Sequence, residues 1–133
     1  MPQWLTVRRA EVKAQEAALA RILRHLETLR AQEEELGTRL ADRGRQEAVV
    51  GGELIADARY RERLEREREA IRRRIAQAEE ALRVQRERLA RVRRALDVAE
   101  DVVAEGDRDR ARLKSKQEEQ AVHDLAYGGR RSR

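Results

Sequence analysis

The chain contains no cysteine, no phenylalanine and only one proline in 133 residues. The missing thiols exclude disulfides, thiolate nucleophiles and thiolate metal ligands. Trp4, Tyr60 and Tyr127 are the only aromatic side chains. A compact core draws on large side chains, so their scarcity argues against a globular domain. No stretch comes near the ~20 apolar residues of a membrane-spanning helix, which predicts no direct membrane insertion. The first residues hold no apolar run suited to a signal peptide, and a soluble, cytoplasmic protein is the expectation.

Charge is what the sequence has in abundance. Asp, Glu, Lys and Arg make up 43% of the chain. Chains so charged are often disordered, but disorder usually comes with Pro, Ser and Gly, which are sparse here. Richness in Ala, Glu, Leu and Arg with a sustained helical period points instead to a coiled coil. The net charge is +5. Residues 1–50 carry nine basic and eight acidic groups, and residues 51–105 carry fourteen and thirteen. Residues 106–133 carry eight and five, so Arg130, Arg131 and Arg133 supply most of the excess. The body is of mixed sign, which suits a protein partner better than a polyanion.

Two apolar seams run through this charged background. In the first, Leu5, Val12, Leu19, Leu26, Glu33 and Leu40 recur every seven residues, interleaved with Ile22, Leu29 and Leu36. Alternating steps of three and four are the a/d pattern with which one helix winds around another. Glu33 is a polar break in this seam. After Leu40 come Gly44, Val49, Val50 and the Gly51-Gly52 pair. Adjacent glycines disfavour a helix and suit a turn, so the chain is expected to reverse between about 44 and 53. The second seam has one row of Leu54, Ile75, Leu82, Leu89, Leu96 and Val103, interrupted by Arg61 and Arg68. Its other row is Leu64, Ile71, Ala78, Val92, Ala99 and Leu113.

Folding back near Gly51 sets Leu5 opposite roughly residue 97, given equal rise on both helices. The dense second seam fades near Val103, where the first helix would run out. The fold expected is therefore all-α: one domain of two long helices in an antiparallel coiled-coil hairpin, with helix 2 overhanging at its C-terminal end. Helix 1 is expected over about 3–46 and helix 2 over about 54–126, with Gly128-Gly129 ending it and a basic tail at 127–133. The overhang lacks a partner, and a lone helix is marginal in water, so it should fray when free.

The sequence offers little chemistry. Serine occurs only at Ser115 and Ser132, and histidine only at His25 and His123, on different helices. A Ser/His/acid triad needs a pocket, which a two-helix rod does not enclose. Carboxylates such as Glu79 and Glu80 read as solvated partners for arginines at i,i+4. Gly51-Gly52 has neither the strand nor the Lys-Ser/Thr of a phosphate loop. The expectation is a non-catalytic protein with no metal site, no cofactor and no small-molecule substrate. The basic stretch from Arg72 to Arg94 raises nucleic-acid binding as an alternative. Glu79, Glu80 and Glu87 interrupt it, however, and no aromatics interleave for base stacking. A generic scaffolding coiled coil is the other alternative.

Two stretches carry a resemblance. Tyr60, Leu64 and Ile71 open helix 2 with spacings of four and seven. Lys116 to Ala126 holds Glu118, an aliphatic Val122, and the run Asp124-Leu125-Ala126. With the hairpin layout, these resemble the FliJ/YscO family of flagellar and type III secretion export proteins. His123 stands where the family has an acidic residue, and Gln120 where it has a basic one. The resemblance implies a fold similar to the coiled coil of a rotary-ATPase γ subunit. It implies a stalk that inserts into the hexameric export ATPase, promotes its assembly and links it to the export-gate membrane protein. Some members also handle free export chaperones. The implied location is cytoplasmic, at the periphery of a membrane-embedded secretion apparatus. Glu118, Val122, Asp124, Leu125 and Ala126 become the implied partner-binding residues.

Overall fold

A computed structural model describes residues 1–46 and 54–131, and the side chains of 1–43 and 55–128. Helix α1 is Gln3–Gln46 and helix α2 is Leu54–Arg131. Pro2 opens α1: its carbonyl accepts bonds from the amides of Leu5 and Thr6 at 3.1 and 3.4 Å. Proline suits the mouth of a helix because its fixed φ is already helical. Asp57 lies in the first turn of α2, where a carboxylate complements the positive helix end. The expected turn centred on Gly51-Gly52 lies outside the described residues.

The two helices pack antiparallel. Arg9 pairs with Glu100, Glu16 with Arg93, Arg30 with Glu79, and Arg43 with Asp57. Partner numbers fall as α1 advances, the mark of a hairpin. The Arg9–Glu100 pair sets the start of α1 beside the end of the dense second seam, close to the expected register.

Between the helices lies a single narrow core. Leu26 is 1% exposed, and Leu29, Ala78 and Leu82 join it in one buried cluster. Leu19, Ile22, Ile71 and Ile75 pack against that cluster, half-buried. Towards the turn the core continues through Leu36 and Leu64, and towards the open end through Leu89 and Ala99, all buried. Val92 and Leu96 are half-buried. All twelve expected seam residues thus lie at the interface or its margin, with none fully exposed.

The seams also carry polar layers, and these meet one another. Glu33 interrupts the first seam and Arg68 the second. The Glu33 carboxylate accepts from Arg68 Nε at 2.8 Å and from Arg72 Nε at 3.1 Å. Gln85 is 5% exposed, and its Nε2 donates to the Gln15 side-chain oxygen at 2.6 Å and to the Gln15 carbonyl at 3.1 Å. The breaks at Glu33, Arg68 and Gln85 are therefore each answered by a polar group from the other helix. A slip of either helix would bury a polar group without its partner, so these layers fix register. Near the turn, Arg43 donates to Asp57 at 3.0 Å and lies over the Tyr60 ring, 4.5 Å from its centre.

The Glu33 layer has a pH consequence. Hydrogen bonds from Arg68, then Arg72, hold the Glu33 carboxyl below its ordinary value of 4.5. A carboxyl with a depressed folded pKa stabilises above its unfolded pKa, and that stability is lost as pH falls through the folded one. The melting temperature should therefore drop on acidification below about pH 4.5. Glu33→Gln should flatten part of that acid limb while leaving the neutral-pH side of the profile sloping as before, which thermal melts at a series of pH values would check.

One boundary differs from expectation. α2 does not end before Gly128 but runs through Gly128-Gly129 to Arg131. Arg130 and Arg131 therefore belong to the helix rather than to a loose tail. Glycine ends a helix when it takes the left-handed conformation that caps the last carbonyls. No described glycine has a positive φ, so neither glycine supplies that cap. The overhang is part of the same continuous helix. Contacts along it support the exposed turns: Arg110 with Asp107, Arg112 with Asp109, and Gln120 with Asp124. His123 and Tyr127 add a tilted ring contact at 4.3 Å.

Candidate interaction surface

Past Gly106, α2 has no partner helix. Every residue from 107 to 128 is exposed. At 1.5 Å per residue this overhang projects about 35 Å beyond the paired part of the rod. Four of its larger side chains are held open to solvent: Leu113 at 56%, Val122 at 65%, Leu125 at 79% and Tyr127. Burying such side chains would be worth roughly 1.5–3 kcal/mol each, so their exposure leaves binding free energy unused within this chain.

The five expected partner-binding residues all lie here, and all are exposed. Glu118, Val122 and Ala126 border one shallow groove together with Ser115, Glu119 and Tyr127. Leu125 follows Glu118 by seven residues and so lies on the same side of the helix. Asp124 lies on the other side, where it accepts a bond from Gln120 Nε2 at 3.1 Å. The structure thus brings together Glu118, Val122, Leu125 and Ala126 and turns Asp124 away from them.

The first stretch of the resemblance has a different setting. Leu64 is 2% exposed, Ile71 packs on the core, and Tyr60 lies between Arg43 and Arg63. Packing between the helices accounts for all three. No such account exists for Val122 or Leu125, which touch no other element.

Charge along the overhang is divided. Arg108, Arg110, Arg112, Lys114 and Lys116 occupy its first half, with Asp107 and Asp109. Glu118, Glu119 and Asp124 occupy its second. Asp107 and Asp109 are taken up by Arg110 and Arg112 within the helix. Arg108, Lys114 and Lys116, and beyond them Glu118 and Glu119, have no such partner among the described residues.

A further apolar cluster marks the open end of the hairpin. Trp4, Val102 and Val103 line a groove with Met1, Pro2 and Gly106. Trp4 and Val102 are about half exposed.

Among the described residues, the structure brings together no constellation of the catalytic kind. Ser115 and His123 are exposed on α2, and His25 is exposed on α1. Among the described residues, no group of three or more His, Asp or Glu side chains is placed to hold a metal ion. Nor is any helix of the described residues long and apolar enough to cross a membrane.

The Gln15–Gln85 layer is what sequence reasoning missed. Its signal was present, since position 85 fills the gap in the row Leu64, Ile71, Ala78, Val92, Ala99. Position 15 likewise falls seven before Ile22. None of the protein-family models, curated proteins or solved structures compared with this chain matches it.

Proposed function

We propose that this chain is a non-catalytic stalk of a bacterial flagellar or type III secretion export apparatus, as its resemblance to the FliJ/YscO family implies. On this reading it inserts its coiled coil into the hexameric export ATPase, promotes assembly of the ring, and links it to the cytoplasmic part of the export-gate protein. Export chaperones are a further class of partner. The site of action is the cytoplasmic periphery of the membrane-embedded machine.

One observation carries the reading. The residues of the terminal motif, Glu118, Val122, Leu125 and Ala126, lie on a long helical overhang where they serve no purpose in this chain's own fold. Apolar side chains left open on a stiff helix suit docking into a groove of a partner. The mixed-sign surface of the paired rod suits modest polar contacts inside a ring.

Light scattering of the export ATPase from the same genome, with a non-hydrolysable ATP analogue, tests the proposal. Addition of this chain should drive the ATPase into a hexamer-sized species. An ATPase whose size is the same with and without the chain would contradict it.

A further inference from the structure

The overhang has a charge order that fits its own copy. Its unpartnered basic groups, Arg108, Lys114 and Lys116, precede Gln117, and its unpartnered acidic groups, Glu118 and Glu119, follow it. The hairpin leaves this segment exposed on all sides from 107 to 128. Laid parallel, two such helices would set basic against basic and acidic against acidic. Laid antiparallel, each basic half meets an acidic half.

We propose that two copies of this chain associate through their overhangs, antiparallel, about a twofold axis close to Lys116 and Gln117. The contact is isologous, so every pair occurs twice. Helical geometry then selects the contacts. Ala111, Ser115, Glu118 and Val122 lie on one stripe, spaced by four, three and four. With the axis near 116–117, Ala111 of one copy packs on Val122 of the other. Arg112 and Glu119 flank the same side of the stripe and meet across the dimer. Lys114 flanks the opposite side and reaches the stripe residue Glu118 of the other copy. The Arg112 bridge to Asp109 within the helix is long, at 3.8 Å, and leaves the guanidinium free to turn outward.

The dimer covers the same side of α2 that carries Val122 and Leu125. Self-association and capture of another protein by this surface are therefore mutually exclusive, and the dimer keeps the overhang masked until a partner displaces the second copy. The inference rests on charge order and exposure alone and does not depend on the export reading. The test likewise uses this protein alone, so the two can fail separately.

Sedimentation equilibrium of the full chain at low ionic strength should show a monomer–dimer equilibrium that shifts to monomer as salt is raised, because exposed ion pairs are screened. Arg112→Glu and Glu119→Arg, each alone, should weaken the dimer by about tenfold, the scale of an exposed ion pair turned repulsive and counted twice. The double variant should recover most of that loss, which only an antiparallel contact between these positions allows. The absence of cysteine makes a second readout direct. A spin label at a Cys substituted for Gln117 should give one short intermolecular distance, and one at a Cys for Gly128 a distance of about 33 Å. A monomer at all concentrations would overturn the proposal. So would short distances from both labels, the mark of a parallel dimer, or a double variant no better than the single ones.

Discussion

Replacing Leu26 by alanine is expected to cost the hairpin about 3 kcal/mol and to lower its melting temperature by about 10 °C. Leu26 has the largest fully buried side chain among the described residues, at 1% exposed. It packs in one cluster with Leu29, Ala78 and Leu82. Truncation removes its buried methyl groups and leaves a cavity that two helices locked by polar layers close only in part. Glu33–Arg68 on one side of the site, and Gln15–Gln85 on the other, hold the helices in place. Leu23 lies only three residues away but is 43% exposed. Leu23→Ala should change stability by less than about 0.5 kcal/mol, as surface substitutions do. Thermal melts of the two variants read the difference. Equal losses would mean that the seam is not where the structure puts it.

The second large effect is on binding and leaves stability alone. Val122→Ala combined with Leu125→Ala removes two apolar side chains that are 65% and 79% exposed. Nothing in the hairpin packs on them, and alanine is a good helix former, so the melting curve should not move. If the chain is the proposed export stalk, its promotion of ATPase assembly should fall by at least about tenfold, because exposed apolar anchors carry binding free energy out of proportion to their number. Titration of the ATPase with this variant, followed by light scattering, measures the loss. Full retention of assembly activity would remove these two residues from the binding surface.

Much of the hairpin was legible in the sequence because heptad spacing is a direct record of helix packing. The rows Leu19–Leu26 and Ile75–Leu82–Leu89 named the buried face, and helix bounds at Gln3, Gln46 and Leu54 agree with the expected ones. The end of α2 was not legible. Gly128-Gly129 disfavours a helix by roughly 1 kcal/mol per residue, but sequence does not say whether the backbone will leave the helical basin there. Polar layers were half legible. Glu33 and Arg68 stood out separately as breaks, whereas their pairing depends on which residues face across the two helices. Gln85 left only a gap in a row of apolar residues.

The candidate surface was legible in a different way. Val122 and Leu125 are unremarkable as sequence, since an apolar residue on a helix is more often core than contact. Only the length of α1 makes them distinctive: the start of α1 lies beside Gly106, and α2 continues from there for twenty-five residues more. The resemblance placed the motif, and the geometry supplies the reason its apolar members are open.

The most direct test is a chain shortened to end at Gly106. All buried residues of the core precede that point, so the shortened chain should remain helical and melt within a few degrees of the full one. Mixed with the export ATPase and a non-hydrolysable ATP analogue, it should no longer promote a hexamer-sized species. If the shortened chain drove assembly as well as the full one, the overhang would not be the binding segment, and the account would be contradicted.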